Sequence, residues 1–170
     1  MSKKITIAID AMGGENSPLK TVEGIDIFIK KNLNNKDFLL NIYGNENLIK
    51  KEFNKHKTPD DYFNIIHTES IVSDEETPLT AIKNSKNTSM WNSIRSQVDG
   101  VSDISLSAGN TGVLLVISRM ILKMMPKVSK PALAGLWPNQ YGMNVVLDLG
   151  ANIECNETNL VDFAELGSAL

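Results

Sequence analysis

The chain has 170 residues, of which 42% are hydrophobic and 22% are charged, with a formal net charge of −3. This composition is ordinary for a globular protein that can bury one core, and we predict a single domain over residues 1–170. The negative charge excludes a general nucleic-acid binder, because no excess of lysine and arginine is available to neutralise phosphates. The one cysteine, Cys155, has no partner for a disulfide or a zinc site, which favours a reducing, cytoplasmic location.

The chain offers no candidate for a membrane span or a targeting signal. The N-terminal run "MSKKITIAID" has two lysines but no long apolar region, so we expect no signal peptide. The most apolar stretch, Val113–Met125, is interrupted by Arg119 and Lys123. It is shorter than the roughly 20 apolar residues that a membrane-spanning helix needs, so we interpret it as a buried helix.

Strand-like and helix-like patterns alternate along the chain. Strands are predicted at "KITIAID" up to Asp10, Phe38–Gly44, Phe63–Thr68, Asp103–Gly109 and Asn144–Gly150. Helices are predicted from a Ser17 cap to about Leu33, over "NENLIKKEFNKH", after Pro78, from about Ser89, from a Thr111 cap to before Pro126, and from about Glu157. The acidic run 74–76 is predicted to be a solvated loop. The alternation predicts a three-layer α/β/α sandwich with a mostly parallel sheet, although it does not fix the order of the strands.

Three predicted strands end in polar loops that contain glycine: Asp10 with Gly13 and Gly14, Ser107 with Gly109 and Gly112, and Asp148 with Gly150 and Asn152. If these strands are parallel, their ends lie along one edge of the sheet, where open α/β sheets bind ligands. Glycine lets the backbone approach a ligand closely, and a following helix offers unpaired N–H groups to an anion. The pattern therefore predicts an anion site.

Each of these loops also has a purely structural interpretation. The two adjacent glycines could make a tight turn, Asn110 could adopt a left-handed conformation before a Thr111 cap, and Asp148 could close a turn. Lys83 and Lys86, about one helical turn apart, could face a common anion or only solvent. Neither the dinucleotide-binding motif nor the P-loop motif is present. We interpret His56 as a surface residue, His67 as a packed residue, and Cys155 as a small buried side chain.

Several of these segments together resemble a known family. The segments "AIDAMGGENSP", "KNTSM", "SAGNTG", "KPALA", "LDLGANIEC" and "FAELGSA" stand in the order expected for the bacterial phosphate acyltransferase (PlsX) family. The resemblance covers essentially the whole chain, but family members are about twice as long, so the chain is similar to their N-terminal half. It departs from the usual pattern at Glu15 and Lys130, where the family has aspartate and arginine.

The resemblance implies transfer of a fatty acyl group from acyl carrier protein to inorganic phosphate, which gives acyl-phosphate for phospholipid synthesis. It also implies a Rossmann-like sandwich similar to phosphotransacetylases, and a cytoplasmic homodimer that associates peripherally with the inner face of the membrane through the missing half. No metal and no cofactor are expected. We assign catalytic roles to Asn110, Thr111 and Lys86. Substrate binding is assigned to Asp10, Gly13, Gly14, Lys83, Ser107, Gly109, Gly112, Asp148, Gly150 and Asn152.

Two other hypotheses stay open at this point. The chain could be a non-catalytic remnant or split product that binds phosphate or acyl carrier protein and needs a second polypeptide. It could also be a phosphate-dependent acyltransferase that acts on coenzyme A thioesters. In either case, half of a sandwich should leave an unpaired sheet edge and uncovered apolar surface.

Overall fold

The computed structural model describes residues 4–73 and 77–170, so the predicted acidic loop at 74–76 lies outside the described residues. The chain divides into two compact units, Met1–Leu122 and Lys123–Leu170. The predicted single domain over residues 1–170 stays a prediction.

The first unit alternates strands and helices as predicted. Its elements are β1 (Ile5–Asp10), α1 (Leu19–Lys31), β2 (Phe38–Gly44), α2 (Glu46–Phe53), a short 3₁₀ helix (Asp60–Tyr62), β3 (Phe63–His67), α3 (Pro78–Asn84), α4 (Ser89–Val98), β4 (Ile104–Ser107) and α5 (Thr111–Leu122). The four strands form one fully parallel sheet in the order β3-β2-β1-β4. The sequence pattern did not fix this order of the strands.

Helices cover both faces of this sheet, which confirms the predicted three-layer α/β/α architecture. On one face α1 and α2 pack against β1 and β2 around a buried apolar cluster that includes Ile9, Ile25, Ile29, Leu40, Ile42 and Ile49. On the other face α4 packs against β1, β2 and β4 and also against α5. Met90, Ile94, Val113 and Ile117 form the second buried cluster. The apolar stretch that we interpreted as a buried helix supplies the last two of these residues. The structure therefore confirms the buried face of this helix, which ends at Leu122, and Met125 beyond it is exposed.

The start of α1 differs from the prediction. Ser17 does not cap the helix; instead its hydroxyl donates back to the carbonyl oxygens of Gly13 (2.5 Å) and Gly14 (2.9 Å). Helix α1 begins at Leu19, with Pro18 before it and no side-chain cap. Ser17 therefore fixes the glycine loop rather than the helix end.

The second unit contains β5 (Gly135–Asn139), β6 (Gly142–Val146) and α6 (Glu157–Ala169). Strands β5 and β6 form an antiparallel hairpin, a sheet of its own. The prediction of a parallel strand over Asn144–Gly150 is therefore wrong: the strand ends at Val146 and pairs with a neighbour that the sequence pattern did not reveal. Val145 and Val146 are half-buried.

Three smaller predictions can also be compared with the structure. Cys155 is exposed, so its interpretation as a buried side chain is wrong. His56 is partly buried in the turn after α2, with its Nδ1 atom 3.8 Å from an oxygen of Asp26. No helix in residues 4–73 and 77–170 is both long and apolar enough to cross a bilayer.

Candidate active site

The carboxyl ends of β1 and β4 meet at the centre of the candidate site. The two strands are parallel neighbours, and Asp10 stands opposite Ser107 at their last paired position. From β1 the sheet continues to β2 on one side and to β4 on the other, so the order of the strands reverses between β1 and β4. In open α/β sheets this reversal opens a crevice at the carboxyl edge, and ligands bind there.

A short hydrogen-bonded chain ties these two strand ends together. The Gly109 N–H donates to Ser107 Oγ (3.1 Å), and Ser107 Oγ donates to Asp10 Oδ2 (2.7 Å). Because Ser107 accepts from Gly109, its single proton is directed at the carboxylate. The Met12 N–H donates to Asp10 Oδ1 (3.2 Å), and Asp10 is only 2% exposed. This geometry favours a positioning role for Asp10, which holds Ser107 and the Gly109 backbone in place, over the predicted direct contact with substrate.

Gly13 is required by the close approach of these loops. A Cβ atom at Gly13 would lie 2.6 Å from Asp10 Oδ2, 2.8 Å from the Gly109 nitrogen and 2.9 Å from Ser107 Oγ. These separations are shorter than real Cβ contacts, so any side chain would push the two strand ends apart. The glycine therefore makes room for protein atoms here.

Gly14 has two constraints of its own. Its φ is +89°, a region that residues with a side chain rarely adopt, and a Cβ atom would lie 2.8 Å from the Ala108 carbonyl oxygen. Gly13 and Gly14 thus form a compact turn packed on the β4 loop. Their predicted contact with substrate stays a prediction.

The first turn of α5 follows directly from this cluster. Asn110 caps the helix, because its Oδ1 atom accepts from the Val113 N–H (3.1 Å). The cap was predicted at Thr111, which is instead the first helical residue. Helix geometry leaves the first N–H groups without an intrahelical acceptor, so the start of α5 can donate to an anion. Gly112 lies close to α3, since a Cβ atom there would be 3.2 Å from Pro78 Cγ.

Lys83 and Lys86 do not form the predicted pair on one helix. Helix α3 ends at Asn84, and Lys86 lies in the turn before α4; both side chains are exposed. Met90, at the start of α4, lies close to Gly109: a Cβ atom at Gly109 would be 2.8 Å from Met90 Cε. The sequence did not reveal this contact. Met90 therefore packs the α4 N-terminus against the β4 loop.

The loop after β6 forms a separate cluster within the second unit. The Asp148 carboxylate accepts from the Leu133 N–H (2.7 Å), the Asn152 N–H (2.7 Å) and Asn152 Nδ2 (3.0 Å). Burial alone would raise the pKa of Asp148, but these hydrogen bonds outweigh it and hold the pKa below its usual value. Gly150 in the same loop has a φ of +81°. These contacts give Asp148, Gly150 and Asn152 a loop-closing role, and their predicted contact with substrate stays a prediction.

Within residues 4–73 and 77–170, no group of histidine, cysteine, aspartate and glutamate side chains is arranged to hold a metal ion. The chemistry that the β1–β4 crevice offers is hydrogen bonding from backbone and amide groups. Such groups suit an anionic substrate.

Comparison with known proteins gives a consistent result along the chain. This chain is 51% identical to the phosphate acyltransferase of Pelagibacter ubique (strain HTCC1062), over all of this chain and 50% of that protein. It is 40% identical to the phosphate acyltransferase of Parvibaculum lavamentivorans, over 99% of this chain and 46% of the relative. The phosphate acyltransferase of Maricaulis maris is 39% identical, over 96% of this chain and 46% of its own length.

The chain thus spans about half the length of these curated relatives. The family model described as "Fatty acid synthesis protein" matches residues 5–170, which is nearly all of the chain. The chain therefore belongs to this fatty acid synthesis protein family.

Proposed function

We propose that this chain carries part of the active site of a phosphate acyltransferase, which transfers a fatty acyl group from a thioester to inorganic phosphate. The observation that carries the proposal is the 51% identity to a protein named phosphate acyltransferase along the whole of this chain. The polar crevice at the carboxyl ends of β1 and β4 supports it, because this is a position where a small dianion can bind.

Phosphate would bind at the start of α5. The N–H groups of the first helical turn and the positive end of the helix dipole attract the dianion, with Thr111 and Lys86 as further donors. The Asp10–Ser107–Gly109 chain would keep the β4 loop in the conformation that presents these groups. No covalent enzyme intermediate is needed, since phosphate is itself the nucleophile.

The chemical step is an addition followed by an elimination. A phosphate oxygen forms a bond to the thioester carbonyl carbon, and the carbonyl electrons move to oxygen, which becomes an oxyanion. Backbone N–H groups and the Asn110 amide would stabilise this charge. The oxyanion then reforms the carbonyl, the C–S bond breaks, and the thiolate leaves and takes up the proton that the attacking hydrogen phosphate gives up. The products are acyl-phosphate and the free thiol.

The carrier of the acyl group would be acyl carrier protein, and the product would serve phospholipid synthesis. Such an acidic carrier would dock on exposed lysines, for which we propose Lys83, Lys86, Lys123 and Lys127. We further propose that the complete enzyme is a cytoplasmic homodimer, bound peripherally to the membrane through regions outside this chain.

A second candidate function is favoured by one observation, namely that the chain matches only about half of each relative. In that case this polypeptide binds phosphate or acyl carrier protein but catalyses nothing until a second polypeptide is present. A third candidate, the use of coenzyme A thioesters, differs only in the thiol that carries the acyl group.

The test is an acyl-phosphate assay with acyl carrier protein or coenzyme A as the acyl donor. The chain is mixed with a polypeptide that comprises the part of the Pelagibacter relative not covered by this chain. Acyl-phosphate from acyl carrier protein supports the proposal, whereas product from coenzyme A alone favours the third candidate. Binding of phosphate or carrier without product under all conditions favours the second.

The informative variant is Asn110→Asp. Aspartate caps a helix about as well as asparagine, so the bond from Val113 is kept, but its charge repels phosphate and removes the amide donor. Loss of one oxyanion donor lowers kcat about 10²–10³-fold. Asn45→Asp is the matched control, because Asn45 caps α2 in the same way, accepting from the Leu48 N–H (3.1 Å). Equal activity of the two variants would contradict the assignment of Asn110.

A further inference from the structure

One segment of the first unit begins and ends against the loop that joins β4 to α5. At its start, Pro78 Cγ would lie 3.2 Å from a Cβ atom at Gly112. At its end, Met90 Cε would lie 2.8 Å from a Cβ atom at Gly109. Helix α3, which forms the first half of this segment, also packs against α5. We call residues 78–90 the strap, because both of its ends are anchored on a loop of the candidate site.

A turn at residues 85–88 lies in the middle of the strap and joins α3 to α4. The N–H and Oγ1 groups of Thr88 both donate to the Ser85 carbonyl oxygen (3.1 and 2.7 Å). Asn87 has a φ of +66°, a left-handed conformation that asparagine and glycine adopt most readily. The side chain of Lys86 is exposed. The turn thus presents a cation to solvent from a compact backbone.

The hydroxyl of Ser85 is the unexplained group of this turn. Its side chain is 0% exposed, and its Oγ atom has no hydrogen-bond partner in the described part of the chain. Serine is favoured in turns because its hydroxyl bonds to nearby backbone groups, and here it makes no such bond. A buried hydroxyl without a partner costs stability, and alanine would fill nearly the same space without that cost. A partner in a ligand-bound state gives the hydroxyl a physical reason.

Thr68 has the other buried hydroxyl without a partner among residues 4–73 and 77–170, but its residue type has a structural explanation. Thr68 follows β3 directly, and its N–H continues the strand pairing by donating to the Gly44 carbonyl oxygen (2.9 Å). A β-branched side chain is favoured in such an extended segment. Of the two hydroxyls, only that of Ser85 therefore indicates a ligand.

We propose that Ser85 is a further phosphate-binding residue, and that the turn 85–88 moves toward the start of α5 when phosphate binds there. The two ends of the strap, at Pro78 and Met90, would stay on the loop, so only the turn between them changes conformation. The Ser85 hydroxyl would donate to a phosphate oxygen, and the same movement would bring Lys86 to the anion. The closed turn would also exclude water from the bound phosphate.

The chemistry of the turn suits a dianion and does not suit an apolar acyl chain. A serine hydroxyl donates one proton and a lysine ammonium donates three, and every oxygen of a phosphate dianion accepts hydrogen bonds. A hydrogen bond to a charged group is stronger than one between neutral groups, so the anion favours the closed turn. The inference rests on the proposed phosphate site at the start of α5.

The test compares Ser85→Ala with its matched control, Thr68→Val, in the 170-residue chain. Each substitution removes one buried, unpaired hydroxyl with little change in volume, so both variants should unfold at the urea concentration of wild type or a higher one. Ser85→Ala should raise the Kd for inorganic phosphate about tenfold or more, as expected when one hydrogen bond to a charged group is lost. Thr68→Val should bind phosphate like wild type.

Phosphate binding is followed by backbone amide NMR signals, which also report the movement of the turn. In wild type, the amides of Ser85, Lys86 and Asn87 should shift with the same affinity as those of Gly109 and Asn110. A higher Kd in Ser85→Ala alone, together with these shifts, would support the proposal.

Equal Kd values in Ser85→Ala and wild type would overturn the role of Ser85 and leave the phosphate site intact. Lower stability of Ser85→Ala with an unchanged Kd would mean that the hydroxyl already has a partner, such as a buried water, and would overturn the role too. Equal weakening by Thr68→Val would also contradict it, because the effect would not be specific to the turn. If phosphate shifted neither Gly109 nor Asn110 in wild type, the phosphate site itself would be wrong and the inference would fail with it.

Discussion

Replacing Gly13 by alanine should destabilise the first unit strongly, although it adds only one methyl group. The methyl carbon would lie 2.6 Å from Asp10 Oδ2, 2.8 Å from the Gly109 nitrogen and 2.9 Å from Ser107 Oγ. None of these atoms can move away freely. The Gly109 nitrogen is backbone, and the oxygens of Asp10 and Ser107 are joined by a hydrogen bond of 2.7 Å. Relief therefore requires the ends of β1 and β4 to separate.

The magnitude follows from two terms. Overpacking a filled site costs about 1–3 kcal/mol, and loss of the hydrogen bond from Ser107 to the buried Asp10 carboxylate costs about 1–3 kcal/mol. Because one movement can relieve both, we expect a loss of about 3 kcal/mol in the free energy of unfolding. For a chain of this length that corresponds to a fall in Tm of about 6–12 °C.

The assay is urea and thermal unfolding followed by circular dichroism, with Gly24→Ala as the matched control. The control adds the same methyl group on α1 where no atom lies within 4 Å, so it should raise stability by about 0.5–1 kcal/mol. If Gly13→Ala unfolded at the same urea concentration as wild type, the close packing of the two strand ends would be refuted. The same result would restore the interpretation of Gly13 as space for a ligand.

Three further predictions concern other parts of the first unit. Ser107→Ala should cost about 1–3 kcal/mol in urea unfolding, because it removes one partner of the buried Asp10, whereas Ser168→Ala at an exposed position on α6 should cost little. Burial alone would raise the pKa of Asp26, but hydrogen bonds from Lys30 and Thr58 hold that pKa below its usual value. This carboxylate therefore stabilises the fold above about pH 4 and loses the effect as pH falls through its folded pKa. The stability difference between wild type and Asp26→Asn should shrink between about pH 5 and pH 3, and a constant difference would contradict this. Charge reversal at Lys83 and Lys86 should slow association with acyl carrier protein most at low salt; an equal effect of reversals at Lys50 and Lys51 on α2 would count against this docking surface.

Much of the fold could be predicted because local periodicity and parallel-sheet burial agree. The bounds of β2 were predicted to the residue at Phe38–Gly44, because polar segments on both sides mark where this buried run begins and ends. The hairpin was missed because "GLWPN" contains a proline and a tryptophan without alternation, so nothing in its pattern predicts a strand. Without β5, the run that includes Val145 and Val146 looked like one more parallel strand.

The candidate site was predicted in position more than in role. The polar ends of β1 and β4 could be expected to meet, because parallel strands share a carboxyl edge. The sequence could not show that Gly13 faces Ser107 and Gly109, because that contact depends on the order of the strands. Nor could it decide between Asn110 and Thr111 as the helix cap, since both residue types cap helices and only the backbone settles which one precedes the first turn.

Phosphate titration of the isotope-labelled chain, followed by backbone amide NMR signals, tests the central claim most directly. If the crevice between β1 and β4 is the phosphate site, the amides of Gly13, Gly14, Gly109 and Asn110 shift with one common affinity, while chloride at the same ionic strength leaves them unchanged. Amides that stay still there while others in the chain shift with phosphate would contradict the assignment of the site.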